Sequence, residues 1–141
     1  LTQLDTLEGV LKIRPGQPGD RSYVLRSWIS SFNKSPLARA LGENYYKVYS
    51  PVVERQYARS QIRIACMSDE PGAIVGFAVL EPERSTVHFV CVREKWRRKG
   101  VASLLLANEL KQTGIQYTHS APPYIRAPQV WSYMPLSGAF S

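Results

Sequence analysis

A mixed α/β domain, with one helix crossing over between neighbouring strands, is predicted by three observations. Three apolar, strand-like runs follow one another closely from Gln61 to Val92. A basic loop and an apolar helical run come directly after the last of them, and a strand and helical segments precede the first. At 141 residues the chain is expected to form one domain spanning 1–141. Its composition, 44% hydrophobic and 21% charged, supplies a core and argues against wholesale disorder.

The elements can be justified in order. In Val10 to Arg14 (VLKIR), Leu11 and Ile13 fall on one face and Lys12 and Arg14 on the other, a short half-buried strand. Pro15, Gly16, Pro18 and Gly19 end it. Asp20 then stands as an acidic N-cap before a helix, Ser22 to Ser31, in which Tyr23, Val24, Ser27, Trp28 and Ile29 recur at helical spacing. Residues 32–60 are interrupted by Pro36 and Gly42 and contain Tyr45, Tyr46 and Tyr49. Pro51 to Ala58 suits a short helix with proline in its first turn. This segment sets Lys34, Arg39, Lys47, Arg55 and Arg59 against Glu43 and Glu54. A solvated helical hairpin over a sheet is the simpler reading of it, and a partner-binding face is the other.

Gln61 to Met67 places Ile62, Ile64 and Cys66 on one side. Ser68 to Gly72 is a turn, Ile74 to Leu80 a central strand, Glu81 to Ser85 a second turn, and Thr86 to Val92 another buried strand. The loop REKWRRK opens a helix, Gly100 to about Gln112, which is apolar around most of its circumference and is expected to lie buried against the sheet. Ile115 to His119 and Val130 to Met134 are candidate late strands. From Thr113 to Ser141 the only charged residue is Arg126, and Pro122, Pro123, Pro128 and Pro135 forbid a long helix there.

Eighteen Lys and Arg against eleven Asp and Glu leave a net charge of +7, which favours an anionic partner. Cys66 and Cys91 are too few for a disulfide framework, so a reducing, cytoplasmic setting is expected. No window reaches the roughly 18 apolar residues needed to span a bilayer, and the first residues lack the pattern of a leader. His88 and His119 lack the spacing of a zinc pair, and no metal is expected. Cys91 reads as a small core residue rather than a nucleophile.

The informative point is the junction between Val92 and Gly100. Arg93, Lys95, Arg97, Arg98 and Lys99 crowd it, opposed only by Glu94. A helix start offers unpaired N–H groups and the positive end of the helix dipole, and nearby cations deepen that well for phosphate oxygens. Gly100 lets the backbone approach an anion, and the small Ala102 keeps the approach open. The pattern is not a P-loop, G-x-x-x-x-G-K-[ST], nor the G-x-G-x-x-G of a dinucleotide fold.

Arg97, Gly100 and Ala102 in RRKGVA resemble the R/Q-x-x-G-x-G/A signature of the GNAT superfamily, the Gcn5-related N-acetyltransferases. The strand ending Val90-Cys91-Val92 before it and the helix VASLLLANEL after it strengthen the likeness, which covers roughly Val10 to His119. The resemblance implies a GNAT-like mixed central sheet flanked by helices, with a splayed strand pair and here a shortened, helix-poor C-terminal region. It implies acetyl-CoA as the acyl donor, its pyrophosphate held along Arg97, Arg98, Lys99, Gly100, Val101, Ala102 and Ser103. The backbones of Val90 and Val92 would face the pantetheine arm.

Transfer to an amine further needs a base, a carbonyl-polarising donor and a proton for the thiolate. His88, counted by alternation onto the face of Val90 and Val92, is the candidate base, and a histidine merely packed in the sheet is an equal reading. Glu83 is the reserve base. Family members commonly supply the acid from a tyrosine on a late helix; here Tyr124 and Tyr133 are the available phenols. Scarce acids in the flanking segments disfavour a polycationic acceptor and suit a peptide amine, a protein lysine or a small neutral amine. The competing function is a catalytically weak GNAT-like module that contacts a protein or, less favoured, a nucleic acid through its basic, aromatic surface. Whether two copies associate is left open by the sequence.

Overall fold

The computed structural model describes residues 9–31, 36–112, 114–118 and 132–133. Its centre is a six-stranded sheet in the order β1-β2-β3-β4-β5-β6. The strands are β1 Leu11–Pro15, β2 Gln61–Met67, β3 Glu70–Glu81, β4 Thr86–Val92, β5 Gln116–Tyr117 and β6 Ser132–Tyr133. β1 to β4 pair antiparallel, whereas β4 with β5 and β5 with β6 are parallel. The helices are α1 Arg21–Ser31, α2 Pro36–Leu41, α3 Tyr45–Arg59 and α4 Val101–Leu105. The predicted mixed sheet flanked by helices is therefore the observed architecture.

Alternation along the strands divides the core into two layers. On one face Leu11, Ala65, Val75, Ala78, Leu80, Val87, Val90 and Val92 pack with Val101, Leu105 and Leu106 around α4. On the other, Ile62, Ile64, Cys66, Phe77, Val79 and Phe89 pack with Val24, Leu25 and Trp28 of α1 and with Tyr45, Tyr49 and Val53 of α3. Trp28 lies parallel to Phe89, with ring centroids 6.1 Å apart, and anchors α1 to β4.

Several local expectations are corrected. The middle helix begins at Tyr45, not Pro51, and holds Pro51 in its interior. Proline costs a helix interior about 3 kcal/mol, but Tyr45, Tyr49, Val53 and Gln56 are all buried at helical spacing. Burial of a large apolar side chain such as Val53 returns roughly 1.5–3 kcal/mol, and with the rings of Tyr45 and Tyr49 added, tertiary packing outweighs the lost backbone bond. The Tyr45 hydroxyl donates to the carbonyl of Ile29 at 2.7 Å, fastening α3 to α1. Ile13 is 37% exposed, because β1 is an edge strand and its alternation is only half used.

Asp20 does not cap α1. Its carboxylate accepts both Arg14 guanidinium N–H groups at 2.8 and 3.0 Å and the Gln17 N–H at 2.8 Å, closing the 3₁₀ turn Pro18–Asp20 against β1. The hydrogen bonds from Arg14 hold this carboxyl below its usual range against the opposing effect of burial.

The expected helix over 100–112 is regular only from Val101 to Leu105 and resumes as a 3₁₀ turn at Glu109–Lys111. Arg63 of β2 fastens the segment where it breaks. Its guanidinium donates to the Leu105 carbonyl at 3.0 Å, the acceptor that a continued helix would give to the Glu109 N–H, and grips both carboxylate oxygens of Glu109. Only one side of the segment is buried, and Leu110 is exposed.

Candidate active site

The loop that the motif singled out follows β4. A 3₁₀ turn, Glu94–Trp96, leads into Arg97, and α4 starts directly after Gly100. Arg98 and Gly100 both adopt left-handed backbone conformations, with φ of 63° and 90°. Gly100 reaches its conformation without a Cβ penalty, whereas Arg98 is a bulky residue in a region such residues seldom occupy. Val101 is buried and pins the start of α4, while Ala102 is half-buried and Ser103 exposed.

The loop's cations have different tasks. Arg97 Nε donates to the Val92 carbonyl at 2.9 Å, bracing the loop on the strand it leaves. The Arg93 guanidinium lies 4.9 Å from the Tyr23 ring centre, and the Lys99 ammonium 5.8 Å from that of Trp96. Lys95, Arg98 and Lys99 are exposed along the turn.

Backbone direction defines the edge beside this loop. The Arg93 N–H donates to the Val75 carbonyl at 2.8 Å, and Gly76 stands opposite Val92, Phe77 opposite Cys91 and Ala78 opposite Val90. Strand alternation then turns the peptide groups of Phe89, Cys91 and Arg93 toward β3, and those of Val90 and Val92 toward the outer edge. Among the described residues, the parallel partner β5 pairs with β4 at Thr86 and Val87, and the Thr118 N–H donates to the Val87 carbonyl at 3.2 Å. Gly76 lets β3 lie close behind Val90 and Val92, since a Cβ there would sit 2.7 Å from the Cys91 carbonyl oxygen.

His88 does not share a face with Val90 and Val92. The β3–β4 register shifts between Val79, opposite Phe89, and Leu80, opposite Val87, which leaves His88 as an additional residue in β4. Alternation is reset there. Val87, Val90 and Val92 pack toward α4, whereas His88 lies 5.9 Å from the Trp28 ring, on the α1 side.

His88 is 1% exposed and bonded at both ring nitrogens. Nε2 meets Glu81 Oε1 at 2.7 Å and Nδ1 meets Thr118 Oγ1 at 2.8 Å. Glu81 in turn accepts from Arg84 Nε at 3.1 Å and faces the Arg59 guanidinium at 3.6 Å. Burial lowers the His88 pKa below its ordinary value, and the Glu81 hydrogen bond and charge only partly oppose this. A neutral imidazole, fixed between a carboxylate and a hydroxyl, is the arrangement of a base with an orienting partner.

The structure thus brings His88 together with Glu81 and Thr118, and not with Glu83, which is exposed on the turn Pro82–Arg84. Tyr133 belongs to β6, opposite Tyr117, but its side chain and all of Tyr124 lie outside the described residues, as does His119. Glu81 was legible as an acid closing an apolar run. Thr118 carried no sequence signal, because its role depends on a parallel pairing across thirty positions. Among the described residues no cluster of three or more His, Cys, Asp or Glu could hold a metal, and no helix is long and apolar enough to cross a membrane.

A mixed sheet whose fourth strand runs into a glycine turn and helix and takes a parallel partner defines an acetyltransferase-type domain. A family model for the acetyltransferase (GNAT) domain matches residues 60–129, about half of the chain, from the start of β2 to beyond β5. The chain belongs to the GNAT superfamily. No curated protein matches its sequence.

Proposed function

We propose that this chain is an acetyl-CoA-dependent N-acetyltransferase, acting as a single domain in the cytoplasm, that moves an acetyl group directly onto a primary amine. The observation that carries the reading is the continuity of the outward-facing peptide groups of Val90 and Val92 with the Gly100 turn. That edge and turn match the order in which a CoA arm and pyrophosphate need donors, and the GNAT match spans the same stretch. Arg97, Arg98, Lys99, Gly100, Val101, Ala102 and Ser103 are the proposed pyrophosphate segment. His88, held by Glu81, is the proposed base, and Tyr124 and Tyr133 are the phenols that the sequence offers to the departing thiolate.

The acceptor is a peptide amine, a protein lysine or a small neutral amine. Beside the His88 cluster Arg84 is exposed and Arg59 half-buried, both against Glu81, and neither offers an anion to a polycationic acceptor. Acetyl-CoA is expected to raise the melting temperature of the wild-type protein, and Gly100→Glu, which adds bulk and negative charge at the turn, to abolish that rise. Thiol release with an amine panel then tests transfer. CoA binding without any thiol release would favour the weakly catalytic binding module.

A further inference from the structure

We propose that Arg93 selects the acceptor, its guanidinium taking a carboxylate that the substrate carries, so that the preferred acceptor is a peptide with Asp or Glu a few residues from its amine. The proposal rests on the acetyltransferase reading above and narrows it from amines in general to acidic peptides.

The first support is an unused set of donors. Arg14, Arg59, Arg63 and Arg84 each meet a carboxylate of the chain. Arg93 is exposed and, among the described residues, has no carboxylate within ion-pair distance. Even the adjacent Glu94, exposed on the following turn, is not paired with it. A guanidinium presents N–H donors in a planar fork that matches the two oxygens of a carboxylate.

The second support is that this fork is held in place. The Arg93 N–H is fixed on the Val75 carbonyl at 2.8 Å, where β4 ends. The guanidinium lies 4.9 Å from the Tyr23 ring centre, and Tyr23 meets the buried Phe77 edge-on at 5.9 Å. Tyr23 is carried by α1, which Val24, Leu25 and Trp28 bind to the sheet. Contact with the ring steadies the cation without spending an N–H donor, and a side chain braced in this way loses less freedom when a ligand arrives.

Position supplies the rest. Val90 and Val92 pack against Val101, Leu105 and Leu106, so α4 covers that face of the outer edge. On the α1 side, Tyr23 and Cys91 are only half-buried. An acceptor that meets the arm at this edge comes from the α1 side, where Arg93 stands. Arg93 lies three residues beyond Val90 along an extended strand, a span of about 10 Å. An extended peptide rises by about the same amount per residue, so an amine placed near Val90 sets the matching acid at roughly the second to fourth residue of the peptide.

The test uses pairs of peptides that differ only in Glu or Gln at one of those positions and whose only amine is the α-amino group. Acetyl-CoA is the donor, and thiol release and CoA affinity are both measured. Wild type should prefer the glutamate peptide by roughly tenfold in kcat/KM, chiefly through KM, as expected for one charge-assisted, fork-shaped contact at a partly solvated site. Arg93→Met keeps an apolar stem on Tyr23 and should bring the ratio to within about twofold, whereas Arg93→Lys, with the charge but not the fork, should keep an intermediate ratio. CoA affinity should stay within about twofold of wild type in both. A wild-type ratio within about twofold, a ratio that survives in Arg93→Met, or a loss of CoA affinity in that variant overturns the proposal.

An arm that needs no variant to fold follows the Arg93 Nε–Hε NMR signal of the wild-type CoA complex as the N-acetylated peptides are added. A shift with the glutamate form and not with the glutamine form supports the proposal, and equal shifts or none overturn it. Wild type that binds CoA but releases no thiol with any amine contradicts the transferase reading and the selection with it; wild type that acetylates amines but is indifferent to the acid contradicts the selection alone.

Discussion

Arg63→Ala should be among the most damaging single substitutions far from the proposed chemistry. Arg63 and Glu109 retain 16% and 9% side-chain exposure, and the guanidinium meets both carboxylate oxygens as well as the Leu105 carbonyl. Truncation leaves Glu109 as a largely buried charge without its counterion, which typically costs 3–5 kcal/mol. The remaining solvent contact of the pair places the expected loss at about 3 kcal/mol. For a chain near this size that corresponds to a fall in melting temperature of roughly 6–12 °C. Replacing both partners by apolar residues, Arg63→Met with Glu109→Leu, removes the orphaned charge and should return stability to within about 1 kcal/mol of wild type. Urea unfolding of Arg63→Met, Glu109→Leu and the double variant measures the coupling. A loss below about 1 kcal/mol for Arg63→Ala, or a double variant as weak as the single, would refute the reasoning that this pair is a desolvated strut beneath α4.

Gly76→Ala should destabilise the protein by about 1–3 kcal/mol, because the added Cβ would lie 2.7 Å from the Cys91 carbonyl oxygen and 3.3 Å from Val92 Cα, backbone atoms that cannot rotate aside; chemical denaturation measures this, and a neutral result contradicts the close β3–β4 packing. Acid sensitivity is expected from His88, whose pKa is lowered in the folded state by burial. Below the unfolded value of about 6.5 the unfolded chain binds a proton that the folded chain resists, so stability rises with pH across that window with a limiting slope of about 1.4 kcal/mol per unit, is fully present above it, and is lost as pH falls. His88→Asn should remove this part of the slope between pH 5 and 7.5, and an unchanged difference between the two proteins would sink the claim. Asp20, held low by Arg14, adds a separate loss only in more acid solution, below its ordinary carboxylate range.

The strands were legible where alternation and length agreed. Gln61–Met67 and Thr86–Val92 have the bounds their apolar patterns predict, and the mixed architecture follows from their order. For α3 the sequence marks proline as a local boundary, whereas the buried Tyr45, Tyr49 and Val53 sustain the helix through it. The early end of α4 is not readable in the sequence, nor is its contact with Arg63, a residue on a distant strand that donates to the Leu105 carbonyl.

The site divides in the same way. The Gly100 turn and the edge at Val90 and Val92 follow from local sequence, and the structure gives them the expected order. The environment of His88 does not. One register shift, invisible in a string of apolar residues, moved the ring to the opposite face and set it between Glu81 and Thr118.

The central claim is that the segment after β4 receives a diphosphate while the outer edge of β4 at Val90 and Val92 receives the arm attached to it. The most direct measurement is a backbone amide NMR titration of the ¹⁵N-labelled chain with CoA. The account predicts saturable shifts concentrated at Arg97 to Ser103, continuing along Val90 and Val92, and lost in Gly100→Glu. Shifts confined to other surfaces, or none at millimolar CoA, would contradict it.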